Sequence, residues 1–447
     1  MALLPVLPVL VVALVLVELV IRDSRWGVGL VLFIVALRLL HVEAEVVLVG
    51  FRVSASDVVG VALIVAAIAR FLRQDALSGG QWALLVYGLL VLLGIVGGAG
   101  EFGAGAAVNE ARKYVSFTGA ALYGTTIQLT PATRSWIARA WVRLGVLILV
   151  VVVLRWSLFF TGIGITALGV VDDMRVIPSF ETLVLLQAVV IAVWTLVAVR
   201  EPGTGAAWSS GSPPAVPAMP AHRLAWFAGA GAAAVLLLQH RTLWAELALV
   251  AVLLLVRVPS VGRRLLVWGT VGIVAATGLS LLVLGEGTET LVMDDLSDSA
   301  SNVDTFSWRV EGWFDLYESQ GPEDPQEWLL GRPFGGGFPR IVSGRLVDVS
   351  PHNFYLELLL RVGVLGLAVF LGVHAVAIVR LWRSRGGTPA LRDDALAVIL
   401  VISLVQNATS HPLVDQGLPL GLALAAVAAG RRTSAPRPAV PAGTRSP

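Results

Sequence analysis

The chain has 447 residues, a formal net charge of +2, 57% hydrophobic and only 14% charged residues, and no cysteine. A mean hydropathy of +0.83 excludes a soluble domain of this length, which needs far more polar residues to cover its surface. The lack of cysteine excludes disulfides and thiolate-bound metal.

Apolar runs recur from end to end, each near the ~20 residues that cross a bilayer as a helix. Spans are predicted over 3–21, 26–41, 56–73, 82–98, 113–129, 136–160, 180–199, 223–239, 242–256, 265–285, 354–379, 394–409 and 416–430. The fold class is therefore all-α, a polytopic integral membrane protein of about 12–13 transmembrane helices with one large extracytoplasmic loop. The first run lacks a basic start and a small-residue cleavage site, so it reads as a retained helix.

In chain order this gives an N-terminal transmembrane bundle (1–200), a Pro/Gly/Ser-rich cytoplasmic linker (201–221) and a helical segment with an outer turn at Arg241 (222–285). An extracytoplasmic catalytic loop (286–351), C-terminal transmembrane helices (352–430) and a Pro-rich disordered cytoplasmic tail (431–447) follow. Arginines cluster on alternate connections, among them Arg22 with Arg25, Arg70 with Arg73, Arg134 to Arg143 and Arg257 to Arg264. The positive-inside rule puts those connections in the cytoplasm and the long loop outside. No matching pair of interrupted spans is visible, as an inverted-repeat transporter would show. The bias toward Arg, Ala, Val and Gly fits a bacterial source, hence the cytoplasmic (inner) membrane.

Residues able to do chemistry gather on the outer connections. His240, His352 and His411 all project from that face, without the helical spacing that metal ligands on one helix need. His374 sits mid-span as a packing histidine, and His41 at a helix exit. His352 follows Pro351 and opens the span beginning at Phe354; a neutral imidazole there suits a general base toward a sugar hydroxyl. The plainer reading is a helix cap shared with Asn353. Arg241, set between apolar stretches, costs about 3 kcal/mol at bilayer depth and would face a ligand or snorkel to water. Arg309 stands between Trp308 and Trp313, with Glu311 as an alternative ion-pair partner. Two guanidiniums present planar forks that match a pyrophosphate. Arg332, within a glycine-rich stretch, is a third candidate. Asp294, Asp295 and Asp298 form an outer acidic run, read as solvated rather than metal-binding.

Five blocks carry a resemblance: Gln239-His240-Arg241-Thr242-Leu243-Trp244, Trp308-Arg309-Val310-Glu311-Gly312-Trp313, Gly331-Arg332-Pro333-Phe334-Gly335, Pro351-His352-Asn353-Phe354-Tyr355-Leu356 and Arg361-Val362-Gly363-Val364-Leu365-Gly366. In order and placement they resemble the signature blocks of the O-antigen ligase and O-antigen polymerase family. The resemblance implies an inverting, metal-independent GT-C-class glycosyltransferase without a cofactor. Its donor would be a polyprenyl diphosphate-linked glycan, its acceptor a glycan or lipid hydroxyl, and its setting the outer face of the membrane. By the same resemblance Arg241 and Arg309 would bind the pyrophosphate and His352 would activate the acceptor. Arg332, His240, Asn353, Trp313 and Tyr355 are expected to contact substrate. Membrane lipid and other polysaccharide-assembly proteins, a flippase among them, are the expected partners, and nucleic acid is not. A flippase or other transporter is the competing reading; it calls for charges at mid-membrane rather than at one face.

Overall fold

An apolar run has no water to satisfy its backbone inside a bilayer, so it closes its own hydrogen bonds as a helix. In the computed structural model, which describes residues 6–42, 45–48, 51–161, 175–200, 220–259, 262–263, 267, 304–384, 387–388 and 391–434, most of these runs do so. The helices of the first half are α1 (Val6–Arg22), α2 (Ser24–Leu39), α3 (Ala55–Phe71), α4 (Gly79–Glu101), α5 (Ala104–Thr125), α6 (Pro131–Phe160), α7 (Ser179–Arg200), α8 (Ala221–Leu237) and α9 (Arg241–Arg257). Residues 268–303, which hold all but the first three residues of the expected span 265–285 as well as Asp294, Asp295 and Asp298, lie outside the described residues; α10 (Asp304–Gln320) and α11 (Pro325–Leu330) follow. The chain then forms α12 (Phe354–Ser384), α13 (Asp393–Asn407) and α14 (Val414–Ser434). Three two-residue to four-residue antiparallel hairpins punctuate the helices: β1 (Glu45–Leu48) with β2 (Phe51–Ser54), β3 (Pro339–Val342) with β4 (Arg345–Asp348), and β5 (Gly387–Thr388) with β6 (Leu391–Arg392).

By length and composition, α4, α6, α7 and α12 are apolar enough to cross a membrane. Their outward faces agree: Leu89, Leu93 and Val96 on α4 and Val150 and Val153 on α6 are exposed, as side chains facing lipid would be. The chain is thus predominantly α-helical and carries helices of membrane-spanning character.

Helix starts differ from the hydropathy expectations for a local reason. Ser54 with Asp57 and Ser78 with Gln81 form capping boxes, so α3 and α4 begin on polar residues that a hydropathy window excludes. The largest shift is in α5, which starts at Ala104 rather than 113. Its first turns hold Asn109, Glu110, Arg112 and Lys113, whose charges are met by partners elsewhere in the fold.

α5 lies at the centre, packed on α14, α3 and α4. The α5–α14 approach is close enough that a Cβ on Gly421 would sit 2.2 Å from the Ala121 carbonyl oxygen, which is why small residues face each other there. Ion pairs mark the two ends of the bundle. Arg134 and Arg257 meet Asp393 and Asp394 at one end. At the other, Arg38 bridges Glu181 (3.1 Å) and Asp415 (2.9 Å), the latter two fully or almost fully buried. The expected catalytic loop 286–351 is, in its described part, not a loop: α10, α11 and the β3–β4 hairpin fold over this second end.

Candidate active site

The site starts from a short turn before α12. Asn353 caps the helix: its Oδ1 accepts from Leu356 N–H at 3.2 Å and its carbonyl from Glu357 N–H at 3.1 Å. His352 precedes the cap with φ +53°, a left-handed backbone that a non-glycine residue holds only when its surroundings fix it. Two contacts do the fixing. Trp313 on α10 donates its indole N–H to the Pro351 carbonyl at 2.6 Å. Ser350 donates its hydroxyl to the Glu357 carboxylate and accepts the His352 N–H at 3.4 Å. Glu357 itself is fully buried, where it takes the Lys113 ammonium and, at 3.4 Å, the Tyr114 hydroxyl.

Arg309 acts on this turn. Burial pushes the His352 pKa below its ordinary value, and the Arg309 guanidinium pushes the same way, against Glu357. Burial likewise lowers Arg309, with Arg175 and then Arg241 adding repulsion. Arg175 and Arg241 thus lie within electrostatic reach of Arg309, and Arg309 within reach of His352. Among the described residues no carboxylate forms an ion pair with Arg309. Glu311, the alternative partner, instead accepts from the backbone and hydroxyl of Ser343. A guanidinium without a carboxylate partner among the described residues is able to take an anionic ligand.

Arg175 and Arg241 are placed by a common clamp. Arg155, only 2% exposed, donates to the Val176 carbonyl at 2.8 Å and the Leu39 carbonyl at 2.7 Å. His240 bonds the next carbonyl, Ile177, at 3.0 Å, and Arg241 follows as the first residue of α9. The two residues that follow Arg175 are therefore tied, one to Arg155 on α6 and one to the turn before α9.

Other expected contact residues do different work. Arg332 is engaged by Glu323 at 2.7 Å and Glu327 at 3.0 Å, an ion-pair role in place of the anion contact expected of it. Tyr355 donates to the Leu404 carbonyl at 2.5 Å, binding α12 to α13. His240, Trp313 and Asn353 hold the backbone as described. The glycine-rich block serves packing: α12 breaks at Gly363 (φ +68°), which frees the Leu360 carbonyl to accept the Arg332 N–H at 2.6 Å. A Cβ on Gly363 would lie 2.3 Å from the Leu329 carbonyl oxygen, so only glycine permits that approach. His374 is a core residue bonded to the Phe370 carbonyl, as its mid-span position implied.

Sequence reasoning missed Arg175, Lys113 and Glu357. Arg175 sits after an ambiguous apolar stretch, and Glu357 reads as an ordinary helical glutamate; the one usable signal was Lys113, the sole lysine of the chain. His411, in the turn between α13 and α14, stands near His352 and Lys113, and burial foremost lowers its pKa to about 4. Beside this turn lies a polar cavity of about 630 Å³, walled by α5, the start of α3 and the Val349–Ser350 backbone. No family model and no curated protein matches the chain.

Proposed function

We propose that the protein is an inverting glycosyltransferase of the O-antigen ligase or polymerase type, moving a glycan from a polyprenyl diphosphate to an acceptor hydroxyl. The electrostatic coupling of Arg309 to His352 on one hand and to Arg175 and Arg241 on the other, with no carboxylate paired to Arg309 among the described residues, carries the reading. In this proposal the chain crosses the bacterial cytoplasmic membrane about 12–13 times and the site opens on the extracytoplasmic face.

Chemically, His352 takes the proton of the acceptor hydroxyl as its oxygen attacks the anomeric carbon of the donor. The bond from that carbon to the diphosphate oxygen breaks with its electron pair, and polyprenyl diphosphate departs. The negative charge growing on the leaving oxygen is met by guanidiniums already in place, so no reorganisation is needed during reaction. Burial keeps His352 unprotonated near neutrality, as a base must be.

The test is transfer in proteoliposomes supplied with a polyprenyl diphosphate glycan. His352→Ala should lower the rate by about 10²–10⁴-fold with the protein still folded and inserted. Full activity in that variant removes His352 as base; donor translocation without transfer in the native protein supports a flippase instead.

A further inference from the structure

The cavity beside the His352 turn differs in chemistry from the arginines Arg309, Arg175 and Arg241, none of which lines it. Its lining cations are already neutralised. Arg112 pairs with Glu45 (3.1 Å) and Asp57 (3.3 Å), Arg38 with Glu181 and Asp415, and Lys113 with Glu357. The carboxylates are likewise committed: Glu110 receives the Arg361 guanidinium and the N–H groups of Gly335 (2.7 Å) and Gly337 (3.1 Å), and Asp348 accepts from Phe338 N–H at 2.9 Å. An entering anion or cation would find no unpaired counter-charge here.

What the cavity does offer is neutral hydrogen-bonding capacity. Asn109 and Ser116, two turns apart on the α5 face that lines it, make no side-chain hydrogen bond among the described residues. His411 Nδ1 is buried at its edge without a hydrogen-bond partner, a costly state unless something fills it. Fixed carboxylates with spare lone pairs, an amide, a hydroxyl and an imidazole together form a surface for the hydroxyl groups of a sugar. At about 630 Å³ the space falls within the range of about 300–1,000 Å³ usual for small-molecule sites.

We propose that this cavity is a binding site for an uncharged saccharide and that it holds the acceptor whose hydroxyl meets His352. Ser350 links the cavity to the base: it lines the cavity, and its hydroxyl accepts the His352 N–H. The acceptor role rests on the transferase reading above; the saccharide site does not.

The experiment is saturation-transfer NMR on the full chain in lipid nanodiscs, with the methyl glycosides of glucose, galactose, mannose and N-acetylglucosamine as neutral probes and glucuronate and glucose 1-phosphate as anionic ones. At least one neutral glycoside should bind, and more tightly than either anion. Asn109→Ala with Ser116→Ala should weaken that binding by about five- to tenfold, the loss expected of two neutral hydrogen bonds. If the pair fails to fold, Asn109→Trp, altered on an exposed side chain, fills the mouth and should abolish binding. No binding of any neutral glycoside, tighter binding of the anions, or binding that survives both cavity variants overturns the proposal. Native protein that binds the glycoside yet transfers no glycan defeats the transferase and leaves the saccharide site standing.

Discussion

Trp313 and Pro351 are joined by a 2.6 Å hydrogen bond from an indole N–H to a backbone carbonyl, and through it α10 holds the turn that presents His352. The same helix carries Arg309 one turn earlier. One rigid element thus sets both the cation and, at one remove, the base.

Trp313→Phe keeps the ring and deletes the donor. The fold should lose only about 1 kcal/mol, the usual worth of such a bond. Transfer should suffer more, because a displacement of about 1 Å at the base costs on the order of 10²-fold. Steady-state kinetics in proteoliposomes checks the split: kcat falls and the donor KM stays. An unchanged kcat means the turn needs no help from α10.

The arginines should not tolerate lysine. Arg309→Lys and Arg241→Lys keep the charge but lose the planar fork, so each should recover only part of the about 10²–10³-fold loss of the alanine variants. Arg175→Ala, at an exposed position, should raise the donor KM and weaken its dependence on salt rather than halt turnover. Donor titrations at two ionic strengths separate these outcomes, and wild-type kinetics in either lysine variant excludes a bidentate contact.

Sequence sufficed for the elements whose signal is continuous and local. Apolar runs announce helices because a helix needs nothing outside itself, and Arg241, Arg309 and His352 stand out in the sequence because arginine and histidine are out of place beside apolar runs. Arg332 misled for the same reason: an exposed-looking arginine in a glycine-rich stretch gives no hint that Glu323 and Glu327 will claim it. Glu357 and Lys113 escaped because their pairing spans more than 200 positions of chain, and no local pattern records a partner at that distance. The cavity on α5 escaped too, since a hydropathy window reads its polar first turns as the end of a helix.

The pH profile of transfer should report the coupling between His352 and Arg309. Burial and the guanidinium both hold the imidazole pKa below its ordinary value, so the acid limb of kcat/KM should lie below about 6.5. Removing the positive charge in Arg309→Ala favours the protonated ring, raises that pKa and moves the limb to higher pH. A limb that stays put in the variant means the two groups do not sense each other in the working enzyme.

Stability should fall on acidification for a related reason. His411 is neutral in the folded protein down to about pH 4 but takes a proton near pH 6.5 when unfolded. Between these values the unfolded state binds more protons, so its share of stability is complete above about pH 6.5 and is lost as pH drops toward about 4. His411→Gln should flatten this part of the thermal-unfolding curve. A profile as steep as that of the native protein assigns the acid sensitivity to other groups.

The buried pair of Lys113 and Glu357 allows fold and site to be separated. Lys113→Met strands a fully buried carboxylate, and breaking such a pair typically costs about 3–5 kcal/mol, so the variant should melt far below the native protein. Replacing both residues, Lys113→Met with Glu357→Leu, removes the stranded charge and should restore most of the melting temperature. Ser350, however, then loses the carboxylate that orients it, and with it the hydroxyl that steadies the His352 backbone. The double variant should therefore be stable and slow, with kcat reduced and donor KM retained. If it is stable and fast, Glu357 supports the bundle alone, and the left-handed turn at His352 is held by Trp313 and Asn353.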